Sequence, residues 1–251
     1  MLFHMRYKLG NVDILPIKRF PENTMVPVKP TMPLIDAVTS RRSIRGFLPE
    51  PVPREILEHV FEIAQQAPSN CNTQPWKAFV ASGETKEKLR QKFLERQKDA
   101  IPGNPDFNYV SRFEGEYRTR QVECAIALYN EMGIARDDKV GRLRAVRRNF
   151  EFFDAPHIVF LGMDRQFGST IALDVGIYAQ TLMLTMQAFG ISSCAMGSMR
   201  AYPGLVREAF ELDDQTGILL GISFGYEDPK VDANRTRTTR ELMENTVTFR
   251  E

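Results

Sequence analysis

The chain has 251 residues, 43% hydrophobic and 26% charged, the proportions of an ordinary globular protein with room for one large or two small domains. Lys+Arg 33 against Asp+Glu 32 leaves a formal net charge of +1, so no global field draws in nucleic acid or an anionic membrane, and any basic site must be local. Cys71, Cys124 and Cys194 form no C-x-x-C pair, have no histidine at ligand spacing and, being odd in number, argue against a disulfide framework or a metal site; no apolar run approaches the roughly 18 residues of a membrane span, and a cytoplasmic protein is expected.

Residues 1–32 carry Pro16, Pro21, Pro27 and Pro30 among scattered charges and read as an extended N-terminal arm, ahead of one domain over residues 33–251. The spacing of Leu34, Ile35 and Val38 predicts a first helix ending near Ser40. Then come Arg41-Arg42-Ser43-Ile44-Arg45-Gly46-Phe47, with three guanidiniums and a hydroxyl in five positions. A guanidinium fork fits phosphate oxygens two at a time and a serine hydroxyl fills the gap between forks. A helix C-terminus is electronegative, so these side chains would have to supply the attraction themselves. A solvated basic turn is the bland alternative.

Pro49 to Pro53 form a rigid spacer, and Arg54 to Ala67 place Ile56, Leu57, Val60, Phe61 and Ala64 on one helical stripe that Pro68 stops. The loop Pro68 to Trp76 is rich in amides, whose paired donor and acceptor suit either turn chemistry or the edge of a planar heterocycle. Trp76 is expected as a core anchor, and Lys77 to Ala81 as a strand. A charged helix over Thr85–Ala100 and a loop over Pro102–Asn108 follow. Residues Arg112 to Val146 look largely helical, with Ala125, Ile126, Leu128, Tyr129 and Met132 as a buried stripe and a break at Gly133; substrate lids and plain surface helices share this pattern.

His157 to Gly162 is a continuous apolar run, expected as a central strand. Ile171 to Phe189 is the most apolar helix, with small residues that let another helix approach, and belongs in a core or a dimer interface. A strand Ile191–Met196, a turn Gly197–Met199, a helix Gly204–Phe210 and a buried strand Gly217–Gly225 complete the body. Val247-Thr248-Phe249 near the C-terminus could add an edge strand elsewhere. His4, His59 and His157 read as surface or packing residues, and Asp174 as a satisfied polar group.

Four motifs in order, Arg41-Arg42-Ser43-x-Arg45, Pro68-Ser69-Asn70-x-Asn72-x-Gln74-Pro75-Trp76, the apolar helix ending Phe189-Gly190, and Gly225-Tyr226 followed by Arg235-x-Arg237, resemble the FMN-dependent nitroreductases. Gly133 to Asp138 and Asn149 to His157 are most similar to the nitrobenzoate and dinitroaniline reductase branch. The resemblance implies an α+β sandwich, with a mostly antiparallel mixed sheet flanked by helices, built as an intertwined homodimer with FMN at the interface. It implies phosphate ligands at Arg41, Ser43, Arg235 and Arg237, with Arg42 near the ribityl and phosphate and Arg45 at the pyrimidine edge. Pro68, Ser69, Asn70 and Asn72 would come from the second subunit, and Met196 and Gly197 would pass beside the ring. Several family members carry a glutamate where this chain has Met196, which removes a carboxylate but leaves the backbone donor. The expected activity is hydride passage from NAD(P)H through FMN to a nitroaromatic or quinone-like acceptor, with no acid–base residue, no metal and no nucleic acid or membrane partner. A reductive dehalogenase or flavin-modifying enzyme of the same fold, and a non-catalytic flavin carrier, are the rivals.

Overall fold

The computed structural model describes residues 29–108 and 112–251. Most of the expected arm, with His4, lies outside them. Four strands, β1 (Lys77–Ser82), β2 (His157–Asp164), β3 (Ser192–Met196) and β4 (Thr216–Gly225), form one sheet in the order β1-β2-β4-β3. All three ladders are antiparallel. The parallel component of the expected mixed sheet is a single bridge, Ser43 to Ser193, which lays the basic stretch against the outer edge of β3.

The apolar runs of β2 and β4 make them central because both faces are covered. Val159, Leu161 and Met163 of β2 face one layer, containing α2 (Arg54–Ala64) and α6 (Ser169–Ala188). Ile158 and Phe160 face the other, containing α3 (Gly83–Lys98), α7 (Pro203–Ala209) and an aromatic cluster of Phe93, Phe150, Phe152 and Phe160. The β2–β4 register slips at Leu161/Gly162, and a Cβ at Gly162 would collide with the Gly217 carbonyl oxygen, so a glycine is required there. Trp76 anchors its loop as expected, stacked on Tyr178 with ring centroids 4.9 Å apart and donating to Gln65.

The longest apolar helix, α6, is only half inside. Val175, Tyr178, Leu182 and Met186 are buried against α2 and the sheet, while Leu173 is 65% exposed at the head of an open stripe. The first helix, α1 (Leu34–Ser40), packs on the same helix with only Ala37 buried, leaving Leu34, Ile35 and Val38 uncovered.

Between α3 and β2 the chain leaves the body. The helical stretch divides into α4 (Gly115–Glu131) and α5 (Lys139–Arg147), separated at Gly133, whose φ of +64 ends α4 in the left-handed region. The stripe expected to be buried is not: α4 has no buried residue and Ile126 is 52% exposed. The helix never lies on the sheet. It packs chiefly on the 3-10 turn Asp232–Arg235 beyond β4. The base of this excursion is fixed by Asp106, whose carboxylate accepts from Arg207 Nη1 at 2.7 Å and from the Ile218 N–H at 2.9 Å. Val247 to Phe249 pair with no strand among the described residues, and Phe249 is 75% exposed.

His157 is a packing residue, as expected. Its Nε2 accepts the Val52 N–H at 2.9 Å, so the proton sits on Nδ1 and is directed at Ser82 Oγ, while the ring stacks on Phe224. Burial, with a smaller push from Lys86, lowers its pKa from 6.5 to about 4. In the unfolded chain the ring takes a proton as pH falls below 6.5; in the folded protein it resists until about 4. Stability therefore declines between those limits on acidification, by about 3 kcal/mol at most for this one group. Urea titrations at pH 7 and pH 4.5 should show the midpoint of His157→Gln falling less on acidification than that of wild type. Parallel declines would contradict the assignment.

Candidate cofactor site

The basic stretch sits at the β3 edge, threaded between that strand and the segment that follows β4. On one side the Ile44 N–H donates to the Ser193 carbonyl at 3.1 Å. On the other the Leu48 and Asp228 N–H groups donate to the carbonyls of Tyr226 and Gly46. Ile44 itself is buried in the layer that contains α3, α7 and Phe160, which fixes the backbone and leaves its neighbours to face out.

One side chain locks this arrangement. Asn234, almost fully buried, accepts the Arg45 N–H at 2.6 Å through Oδ1, and through Nδ2 donates to the carbonyls of Gly46 at 2.8 Å and Asp228 at 2.9 Å. The residue after it is Arg235. Two arginine groups separated by about 190 residues of sequence are thus brought together by one amide. Nothing local in the sequence marks Asn234, because two of its three partners lie almost 190 residues away.

The expected ligands do not all converge. Arg41, Ser43 and Arg45 surround Cys194, whose thiol is pushed up by burial and pulled back by Arg45, Ser43 and Arg41 in that order. Arg42 instead meets Glu227, with Nη2 at 2.6 and 2.8 Å from its two oxygens. Arg235 is held by Asp232 at 2.7 Å and Glu131 at 3.2 Å, and these carboxylates, Glu131 first, raise its pKa. Arg237 donates to the carbonyls of Asn234 and Thr236.

Met196 is buried, its sulfur contacted by Ser223 Oγ, so only its backbone is presented beside Gly197, which opens the turn after β3. A cavity of about 240 Å³ runs from Arg45 under the excursion, lined by Leu128 and Met132 of α4, Phe153, and the Val231–Ala233 turn. Arg148 and Asn149, neither of which had been given a role, share that wall.

The amide loop lies elsewhere. Ser69 Oγ accepts the Gln74 N–H, and Cys71, Asn72 and Gln74 adopt positive φ. The Asn70 N–H donates to Asp174 Oδ2 at 3.1 Å, which makes Asp174 the satisfied polar group expected. Asp174 stands near the N-terminal end of α6, whereas Ser40, next to Arg41, meets Gln187 near its C-terminal end. At about 1.5 Å rise per residue the two points are about 20 Å apart, so Pro68, Ser69, Asn70 and Asn72 do not join the basic stretch within one chain.

The donor set suits a phosphate-bearing group. Arg42 Nε, Ser193 Oγ and Ser198 Oγ, on the basic stretch and along or just beyond β3, are three of the five buried side-chain atoms without a hydrogen-bond partner among the described residues, with Arg142 Nε and Tyr178 Oη the other two. Natural proteins rarely leave such atoms unsatisfied away from a functional site.

A profile of the nitroreductase family matches residues 38–226. Nitroreductase NfnB of Mycolicibacterium smegmatis is 36% identical over 232 residues, 89% of this chain and 98% of that protein. A 4-nitrobenzoate reductase of Pseudomonas putida is 34% identical over 84% of this chain and 93% of its own. The crystal structure of the FMN-dependent nitroreductase NfnB from Mycobacterium smegmatis in complex with NADPH superposes with a TM-score of 0.83 at 35% identity, over 86% of this chain and 97% of that one. Fold, motif order and sequence agree over most of the molecule, and this chain belongs to the nitroreductase family.

Proposed function

We propose that this protein is a flavoprotein oxidoreductase that uses FMN to pass hydride equivalents from NAD(P)H to nitroaromatic or quinone-like acceptors. The observation that carries this reading is the Asn234 amide, which joins Arg45 to the segment bearing Arg235 and Arg237. Its relatives include an FMN-dependent enzyme crystallised with NADPH and a 4-nitrobenzoate reductase. When bound, FMN supplies the two-electron chemistry.

Each chain residue then has a task. Arg41, Ser43, Arg235 and Arg237 hold the phosphate, with Arg42 beside it. Arg45 supplies positive charge to the pyrimidine edge, where negative charge gathers on reduction. Met196, turned into the core, and Gly197 offer backbone beside the ring. No side chain acts as an acid or base. The apolar cavity wall of Leu128, Met132 and Phe153 suits a flat ring, with Arg45 and Asn149 as its polar contacts.

The site is completed by a second copy. The uncovered Leu34, Ile35 and Val38 of α1 with Leu173 of α6 support a homodimer, and the second chain's Pro68, Ser69, Asn70 and Asn72 would then close over the flavin. The exposed Val247–Phe249 segment suits the unpaired outer edge of β1 in that second copy. Among the described residues no helix is long and apolar enough to cross a membrane, and we place the enzyme in the cytoplasm.

Arg235→Ala should weaken FMN binding by about 10- to 100-fold, the loss of a charged hydrogen bond to phosphate; unchanged affinity in a fluorescence titration would contradict that role. Arg45→Ala should retain FMN but lower its reduction potential, and a potential equal to wild type would remove Arg45 from the pyrimidine edge. Leu173→Glu puts a charge on the exposed stripe without disturbing the core, and should yield folded monomers with poor FMN retention in sedimentation. A stable, fully loaded dimer would place the interface elsewhere.

A further inference from the structure

Arg235 is the phosphate arginine that another element already uses. Its two carboxylate partners differ in kind. Asp232 sits three residues earlier in the same turn and travels with it. Glu131 is the last residue of α4, a helix that packs on the rest of the molecule chiefly through the turn bearing Arg235. The negative end of α4 lies at the same place, so the guanidinium also complements the helix dipole. Two carboxylates around one guanidinium leave the spot net negative, an unfavourable setting for an arriving phosphate. For a phosphate to take Arg235 one of them has to give way, and Glu131 is the one carried by a separate element, with Gly133 just beyond it.

We propose that Glu131 is a positioning residue that holds Arg235 ready and then yields it to the cofactor phosphate, so that FMN binding releases the C-terminal end of α4. The inference rests on the flavin reading above and extends it to the excursion. Leu128, almost one turn before Glu131, and Met132, immediately after it, line the cavity beside Arg45. Release of Glu131 therefore reshapes the wall against which an acceptor ring would lie. Arg120 of α4 retains its own contact with Glu241 at 2.7 Å, so the helix pivots rather than detaching.

The test compares apoprotein titrated with FMN and with riboflavin, which lacks the phosphate. Glu131→Gln should bind FMN about two- to five-fold more tightly than wild type, the scale of an exposed ion pair, and riboflavin no differently. Glu116→Gln, on the same helix but paired with Arg120, should match wild type with both ligands. Hydrogen exchange of residues 128–134 should rise in wild type with FMN and not with riboflavin, and should already be raised in Glu131→Gln without ligand. Glu131→Gln binding FMN at wild-type or weaker affinity overturns the inference while leaving the flavin assignment standing. Equal tightening towards riboflavin also overturns it, because the gain would then come from a looser cavity. Wild-type protein that binds neither ligand overturns the flavin reading, and this inference with it.

Discussion

The site depends on three hydrogen bonds made by one buried amide. Asn234 accepts from Arg45 and donates to Gly46 and Asp228, and every group on it is used inside the protein, where an unmet bond is costly. Without it, the basic stretch would be held by the Ser43–Ser193 bridge and its backbone bonds, and the turn carrying Arg235 would have lost its tether to it. The close approach is possible because Gly46 has no side chain; a Cβ there would run into Val231. The arginines of two distant segments are thus gathered in a chain whose overall charge is close to zero, with Arg42 and Arg235 held by carboxylates.

Much of the fold was legible because its signals are local. The apolar runs of β2 and β4 announced central strands and Gly133 split the excursion where a left-handed residue was needed, whereas the second helix stops at Ala64, short of the Ala67 end that Pro68 suggested. The basic stretch was legible as chemistry, though not as geometry. Composition could not show that Arg42 would be taken by Glu227, because that partner lies 185 residues away. Asn234 and Asp106 were invisible for the same reason: a lone polar residue gains its meaning only from what folding brings to it. The α4 stripe misled because its periodicity is real, but the surface it meets is a small turn and a cavity rather than the sheet.

The chain is also visibly incomplete as an enzyme by itself. Exposed apolar residues on α1 and at Leu173 of α6, an amide loop about 20 Å along α6 from the basic stretch, and a β1 edge unpaired among the described residues are three separate openings that the proposed two-fold partner would fill at once. Burying a flavin between two subunits keeps water from the ring and lets one face serve donor and acceptor in turn. In this arrangement the α4–α5 excursion is attached to the basic site through the same turn that carries Arg235.

The most direct measurement is the visible spectrum of the freshly purified protein, followed by identification of whatever flavin heat releases. The account predicts a yellow preparation carrying one flavin for each chain, released as FMN with its phosphate intact. A colourless protein that takes up no FMN on titration would contradict it.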